Sequence, residues 1–226
     1  MPYREAVGGV VYHVLNRANA GMLLFQGTGD YKAFEKVVAE AHEQVAMRTI
    51  AYCLMPNHWH FVLWPRGDGD LPAFMHWLTM THAKRWHCFR QTTGSGHVYQ
   101  GAYKSIPVES DSHFLTVCRY VERNALRAGL TPRAEEWPWC SLHRRCVGDA
   151  KARALLTEGP LPRPEDWLTE VNRPQSQDEV EALRKCIGRG RPYGSRSWVE
   201  KIAERLGLRG TLRPRGRPRL DAMSHD

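Results

Sequence analysis

Residues 52–64 read Tyr-Cys-Leu-Met-Pro-Asn-His-Trp-His-Phe-Val-Leu-Trp, and this stretch predicts a β-hairpin whose second strand carries two histidines. The Pro-Asn pair is typical of a turn, and the bulky apolar residues around it are typical of strands. Because side chains alternate between the two faces of a strand, His58 and His60 project from one face, roughly 6–7 Å apart at the backbone. This spacing suits two imidazole nitrogens that converge on one divalent metal.

The residues between the histidines point the other way. Trp59, Phe61 and Leu63 are therefore expected to lie in a hydrophobic core on the opposite face of the sheet. A metal needs more than two ligands. The remaining groups must come from elsewhere in the chain.

The composition is that of a globular protein with a basic surface. The chain has 226 residues, 42% of them hydrophobic, and carries a formal net charge of +8. This length predicts one principal domain with an appendage. The excess of basic over acidic residues favours a polyanionic partner. The alternative is that this excess of charge only keeps the protein soluble. No apolar run reaches the length of a signal peptide or a membrane span, so we expect no membrane association.

The cysteines argue against a secreted protein. The six cysteines contain no Cys-x-x-Cys pair, a pattern that disfavours a disulfide framework or a structural zinc module. Reduced thiols and a cytoplasmic location are the expectation.

The order of predicted elements is β-α-β-β-α-β. This order indicates an α+β protein with a ferredoxin-like, or RRM-like, antiparallel sheet that has helices on one face and leaves the other open. Strands are predicted at 10–15, 49–55, 58–64 and 103–108, and helices at 30–45, 71–89 and 112–128, with Gly129 ending the last.

The character of the chain changes after Pro138. We expect two regions, residues 1–145 and 146–226, the second a connector punctuated by prolines and followed by helices at 178–187 and 197–206. The tail at 213–219 is too basic and too rich in Pro and Gly to fold alone.

The helix predicted at 112–128 supplies a candidate nucleophile. Tyr120 and Asn124 are four residues apart, at the edge of the apolar stripe of this helix, so their side chains lie together. Arg119, Arg123 and Arg127 are expected on its more exposed side, where phosphates could be met. The apolar stripe consists of Phe114, Val117, Cys118, Val121, Ala125 and Ala128.

Two motifs together resemble one family. Met-Pro-Asn-His-Trp-His at 55–60, followed by Arg-Tyr-Val-x-x-Asn-x-x-Arg-Ala-Gly-Leu at 119–130, resembles the single-tyrosine, IS200-like transposases of the HUH endonuclease superfamily. The stretch Gly-Arg-Pro-Tyr-Gly-Ser-x-x-Trp at 190–198 is similar to the REP-associated tyrosine transposase branch of that family. The likeness covers about residues 6–143 and, more loosely, the C-terminal region.

The resemblance implies specific roles. His58 and His60 would ligate Mg²⁺ or Mn²⁺, Tyr120 would be the nucleophile, and Asn124 takes the place of a third ligand that is Gln in many relatives. It also implies that residues 1–145 form the catalytic domain. The enzyme would cleave and rejoin single-stranded or hairpin DNA through a 5′-phosphotyrosine, as a monomer or a homodimer.

Further DNA contacts are predicted from the basic segments. Arg-Gly-Arg-Pro occurs at 189–192 and at 215–218, and such runs are narrow enough for a minor groove or a phosphate backbone. The candidate contacts are Arg189, Arg191, Arg215 and Arg217, with Arg119, Arg123 and Arg127 of the helix. The other histidines considered, His13, His76, His82, His87 and His97, are expected to be structural.

Two competing interpretations remain open. A domesticated nucleic-acid-binding protein would keep the RRM-like sheet without turnover. The combination of His58, His60 and Tyr120 argues against it, because a pure binder has no need of the set. A metal phosphohydrolase would use water, with Tyr120 only structural, and a covalent protein–DNA adduct distinguishes the transposase from it.

Overall fold

A four-stranded antiparallel sheet forms the centre of the protein, for which the computed structural model describes residues 6–213. Its strands, in chain order, are β1 (Val11–Arg17), β2 (Met47–Met55), β3 (His58–Pro65) and β4 (Lys104–Val108). The strand order is β2-β3-β1-β4, with every neighbouring pair antiparallel. This is the predicted ferredoxin-like topology, and the α+β fold class is confirmed.

Two long helices cover the first face of the sheet, α1 (Thr28–Gln44) and α2 (Asp70–Arg90). Trp59, Phe61 and Leu63 of β3 are at most 1% exposed in the core beneath these helices. The alternation of the β3 side chains is therefore as predicted, and it leaves the two histidines for the second face.

The second face is also covered, and the expectation that it stays open was wrong. Helix α3 (Ser112–Glu122) follows β4 and packs its apolar stripe against this face. Val117 and Val121 of the stripe are fully buried, in one cluster with Val62 and Ile106 of the sheet. An amphipathic helix that follows a sheet edge gains most by burying its apolar stripe, and here the sheet is the surface available.

The helix predicted at 112–128 is broken. α3 ends at Glu122, and a short helix α4 (Asn124–Arg127) starts after Arg123. Gly129 then adopts a positive φ of 69°, which allows the N–H of Leu130 to close on the carbonyl of Ala125. The predicted stop at Gly129 is confirmed, because the left-handed conformation that ends the helix suits glycine.

Several shorter helices follow, and some of them pack on the second face. These are α5 (Ser141–Val147), α6 (Ala150–Ala154), α7 (Trp167–Asn172), α8 (Gln177–Arg189) and α9 (Arg196–Arg205). α8 and α9 match the two predicted helices within two residues, whereas α5, α6 and α7 were not predicted. The core of the second face includes Leu142 of α5, Trp167 and Val171 of α7, and Leu183 of α8.

The C-terminal helices are attached to the free edge of the sheet. Tyr193 forms a parallel bridge with Val108 of β4, and the Ser195 N–H donates to the Glu109 carboxylate just before α9 begins. The division at residue 145 stays a prediction. No helix within residues 6–213 is both long and apolar enough to cross a membrane.

Candidate active site on the second sheet face

The histidine pair lies at the start of β3, beside the two-residue turn that joins it to β2. The ring centroids of His58 and His60 are 5.1 Å apart, with the ring planes at 85°. His58 is half-buried, and His60 is only 4% exposed. The two imidazoles are therefore placed together on one face, as the strand alternation predicted.

Each imidazole is held through its Nδ1 atom. His58 Nδ1 lies 2.7 Å from Asn57 Oδ1, which can only accept, so Nδ1 carries the proton and Nε2 keeps its lone pair. His60 Nδ1 lies 2.9 Å from Nε2 of His13 in β1. In the tautomer in which His60 donates, its Nε2 is also free to bind a metal. Ligand histidines are typically oriented by such a bond at the second ring nitrogen.

The site keeps its histidines neutral. Burial lowers the pKa of His58 to about 4, with a further contribution from the positive charges of Arg17 and Arg127. Burial also lowers the pKa of His13 to about 3 and that of His60 well below its usual value. All three are neutral at pH 7, and the neutral imidazole is the form that binds a metal.

Tyr120 lies against this pair. Its ring is 5% exposed, and its centroid is 6.0 Å from those of both His13 and His60, in edge-on geometry. Arg127 places its guanidinium carbon 3.9 Å from the Tyr120 ring centroid, a cation–π contact. The candidate nucleophile is therefore adjacent to the candidate metal ligands.

Asn124 is brought to the same cluster by the start of α4. Its side chain is buried, and its Oδ1 accepts a hydrogen bond of 2.7 Å from Arg127 Nη2. Its Nδ2 is buried without a hydrogen-bond partner among the described residues. A carbonyl oxygen has two lone pairs, so one remains after the bond from Arg127.

The donor set of this cluster fits a divalent cation. His58 and His60 each present an imidazole nitrogen, and Asn124 presents an amide oxygen, a mixed set of nitrogen and oxygen donors of the kind that binds divalent metal ions. Buried polar atoms without partners in the described chain also cluster here: His13 Nδ1, Asn124 Nδ2 and Arg127 Nη1. Such unsatisfied groups are rare in a finished core and are consistent with a site that receives a further ligand.

A separate group of possible metal ligands lies at the start of α3. Glu109, Asp111 and His113 offer ligand atoms within 4.8 Å of one another. The carboxylate of Glu109 already accepts from the backbone and the hydroxyl of Ser195, and Asp111 caps α3 by accepting from the His113 N–H. These bonds account for the cluster as capping of two helices, and none of its members was predicted as a ligand.

The arginine row of α3 and α4 is not on an exposed side, which corrects the sequence-based expectation. The Arg119 guanidinium donates to the carbonyls of Arg173 and Pro174, and that of Arg123 donates to the carbonyls of Val171 and Asn172. Arg119 and Arg123 thus face the C-terminal end of α7, where free carbonyls attract cations. DNA contact by Arg119 and Arg123 stays a prediction, with their guanidinium groups already engaged.

The C-terminal arginines lie far along the chain from this cluster. Arg189 donates to the carbonyl of Arg213, and Arg191 has a buried Nε without a partner among the described residues. Arg215 and Arg217 lie outside the described residues. Their predicted DNA contacts stay predictions.

His13 and Glu122 are the residues that sequence reasoning missed. His13 was expected to be only structural, yet it contacts both His60 and Tyr120. Strand alternation in β1, together with the pairing of β1 and β3 in a ferredoxin-like sheet, would have placed it beside His60. No pattern in the sequence marks Glu122 as a fully buried carboxylate.

Comparison with known proteins decides the family. Residues 6–124, slightly more than half of the chain, match the IS200-like transposases. This chain belongs to the IS200-like transposase family. The predicted membership is confirmed, and the match spans His58, His60, Tyr120 and Asn124. Among curated proteins, none matches this transposase at a significant level.

Solved structures support the fold. This transposase is similar to the structure of a REP-associated tyrosine transposase bound to a REP hairpin, with a TM-score of 0.52 and 17% identity. The likeness covers 78% of this chain and 90% of that one. A chain from Deinococcus radiodurans R1, provisionally assigned as a transposase, gives a TM-score of 0.38 at 17% identity and covers 54% of this chain and 95% of that one. The second score is too low to bear on the fold.

Proposed function

We propose that this IS200-like transposase is a divalent-metal-dependent tyrosine endonuclease and strand transferase acting on single-stranded or hairpin DNA. The observation that supports the proposal best is the position of Tyr120, with its ring centroid 6.0 Å from that of His60, on the face where both candidate ligand histidines lie. A phenol beside a metal site has the components of nucleophilic phosphoryl transfer.

The chemistry assigns one task to each residue. A divalent cation held by His58, His60 and Asn124 would withdraw charge from a non-bridging phosphate oxygen and orient the phosphorus. The Tyr120 oxygen attacks that phosphorus and loses its proton while the bond to the 3′ oxygen breaks. The 3′ oxygen takes up a proton, and the products are a 5′-phosphotyrosine and a free 3′-OH. Because the new ester retains the phosphodiester energy, another 3′-OH can reverse the step and join strands.

Hairpin DNA is the substrate class that we propose. The support is the solved transposase of similar fold, which is bound to a REP hairpin, and the C-terminal motif at 190–198. Assignment to the REP-associated branch belongs to this proposal. The monomer or homodimer state, the cytoplasmic location and a choice between Mg²⁺ and Mn²⁺ stay predictions.

Two exposed cations adjoin the histidines on the second face. Arg17 pairs across the strands with His58, while Leu15 pairs with His60 on one side and Lys104 on the other. Paired residues share a face, so Arg17 and Lys104 flank the site where the sheet reaches solvent. Neither has an ion-pair partner within residues 6–213. They are well placed to meet phosphates of a strand that enters the site.

Removing either cation is expected to weaken DNA binding in a salt-dependent way. For Arg17→Ala and Lys104→Ala, the slope of log affinity against log salt should fall by about 0.7–0.9 each, because one phosphate contact is lost. Fluorescence anisotropy with hairpin DNA measures this. Lys32→Ala, an exposed lysine of α1 on the other side of the molecule, is the matched control and should leave the slope unchanged. Equal slopes for all three variants would argue against this entry path.

Replacing His13 is expected to weaken metal binding. The hydrogen bond that His60 Nδ1 donates to His13 Nε2 orients the His60 ring, and loss of such an outer partner typically lowers metal affinity by about 10–100-fold. A Mn²⁺ titration of His13→Leu, followed by electron paramagnetic resonance, measures the change. His82→Leu removes a buried histidine that is bonded to Tyr99 on the first face and should leave Mn²⁺ affinity intact. Wild-type affinity in His13→Leu would contradict the role.

The proposed function is tested with labelled hairpin DNA from the flanks of the gene, Mn²⁺ or Mg²⁺, and a denaturing gel. We expect a slowly migrating covalent species that disappears with chelator, and mass spectrometry of its peptides should show a nucleotide on Tyr120. Cleavage without an adduct would instead indicate the water-dependent phosphohydrolase. Tight binding without cleavage of any hairpin would indicate the domesticated binder.

A further inference from the structure

Arg127 occupies the centre of the candidate site. Its guanidinium carbon lies over the Tyr120 ring, 3.9 Å from the ring centroid, and its Nη2 donates to Asn124 Oδ1 at 2.7 Å. It also acts electrostatically on all three histidines of the cluster, since its positive charge contributes to lowering their pKa values. One side chain thus connects the candidate nucleophile, the candidate third ligand and the histidines.

This cation has no counter-charge within the described chain. Arg127 is half-buried and forms no ion pair with a carboxylate among residues 6–213. Burial lowers its pKa, and the groups that interact with its charge are Tyr120, Cys53 and two further arginines. Its Nη1 is buried and lacks a hydrogen-bond partner among the described residues. Removing a guanidinium from water without an anion carries a cost that an anionic ligand would relieve.

The rest of the site adds no negative charge. The candidate ligands are two neutral imidazoles and one amide, so a bound divalent cation would keep its full charge beside Arg127. The site as a whole is built to receive an anion. A guanidinium can hold a phosphate oxygen with one nitrogen while its other nitrogen and its planar face remain occupied.

We propose that Arg127 binds a non-bridging oxygen of the scissile phosphodiester through Nη1, while its contacts with Tyr120 and Asn124 hold the nucleophile and the third ligand around that phosphate. The ligand is a DNA phosphodiester, and the inference rests on the proposed function. It separates Arg127 from Arg119 and Arg123, whose guanidinium groups are bonded to the carbonyls of 171–174.

The test removes the charge of one phosphate at a time. Hairpin DNA carrying a neutral methylphosphonate at each linkage in turn is bound, with chelator present, to Tyr120→Phe and to the double variant Tyr120→Phe/Arg127→Gln. At one linkage, the methylphosphonate should lower the affinity of Tyr120→Phe for the hairpin by about tenfold or more. The same methylphosphonate should hardly change the affinity of Tyr120→Phe/Arg127→Gln. Wild-type cleavage with metal should map to that same linkage.

Lys32→Gln in the Tyr120→Phe background removes an exposed positive charge of α1, on the other side of the sheet, and is the control that should keep the full methylphosphonate effect at every linkage. If the methylphosphonate weakens binding equally with and without Arg127 at every linkage, the proposal is overturned. It is also overturned if the effect that depends on Arg127, the coupling, occurs at a linkage other than the cleaved one. Because binding is measured without metal or turnover, coupling can appear even if no adduct forms. In that case the nuclease proposal fails while the phosphate contact stands.

Arg127→Lys separates positioning from charge and protects the test against misfolding of the glutamine variant. Lysine keeps the positive charge but cannot lie flat on the Tyr120 ring while it donates to Asn124. We expect hairpin affinity within about threefold of wild type, because most of the charge-assisted contact remains, and a loss of adduct rate of about tenfold or more. Adduct formation at the wild-type rate in Arg127→Lys would overturn the positioning role.

Discussion

Tyr120→Phe should abolish the covalent DNA adduct and lower the rate of strand cleavage by at least about 10³-fold, because it removes the attacking oxygen. Folding should be preserved, since the ring and its packing between Arg127 and the histidines remain. Hairpin affinity should also stay close to that of wild type. A denaturing gel with labelled DNA and Mn²⁺ follows the adduct, and anisotropy follows the affinity.

Tyr99→Phe is the matched control for the loss of a buried tyrosine hydroxyl. Tyr99 is buried on the first face, where its hydroxyl contacts Trp59 and His82, on the opposite side of the sheet from the candidate metal ligands. This variant should form the adduct at a normal rate, even with some loss of stability. An adduct that persists in Tyr120→Phe would identify a different nucleophile, and metal-dependent cleavage without any adduct would identify water.

Glu122→Ala should lower the free energy of unfolding by about 3–5 kcal/mol, the range found when one partner of a buried ion pair is removed. The Glu122 carboxylate is fully buried at the end of α3. It accepts from the Ser141 hydroxyl at 2.8 Å and the Trp167 indole at 2.7 Å, and it pairs with Arg163 at 3.3 Å. Without it, these three donors lose their shared acceptor in the core.

The site should respond to the same change. Glu122 lies two residues after Tyr120 and two before Asn124, so its bonds to α5 and α7 fix the helix end that carries both. We therefore expect a reduced adduct rate in Glu122→Ala, in addition to a lower midpoint of urea unfolding.

Glu158→Ala is the control for an exposed partner. Glu158 also pairs with Arg163, at 3.5 Å, but its side chain is 73% exposed. Solvent screens such a pair, so its removal should cost less than about 1 kcal/mol. Similar unfolding free energies for the two alanine variants would show that the buried carboxylate does not anchor the helix.

The fold was predictable because it depends on local periodicity. The alternation at 58–64 separated the histidines from Trp59, Phe61 and Leu63, and the order of elements indicated the ferredoxin-like sheet that the structure contains. Gly129 marked the end of its helix, because its positive φ is a local requirement. Each of these features involves residues a few positions apart, whose geometry a sequence pattern encodes directly.

The packing of the C-terminal segments on the second face of the sheet was not predictable in the same way. The connector between α5 and α8 is rich in proline and has no helical period, yet it supplies Arg163 and Trp167 to the buried carboxylate of Glu122. The same connector brings carbonyl groups to Arg119 and Arg123, which a helical wheel alone assigns to solvent. Contacts over 40 or more residues of separation leave no periodic signal in the chain.

The sequence by itself determined the sheet, the face that carries His58 and His60, and the short spacing between Tyr120 and Asn124, because strand and helix geometry relate near neighbours. Only the tertiary structure decided that Arg127 lies over the Tyr120 ring with no counter-charge in the described chain, and that the buried Glu122 carboxylate is bonded to α5 and α7. Those relations depend on which distant elements pack together, and packing is settled by the burial of whole surfaces rather than by any local pattern.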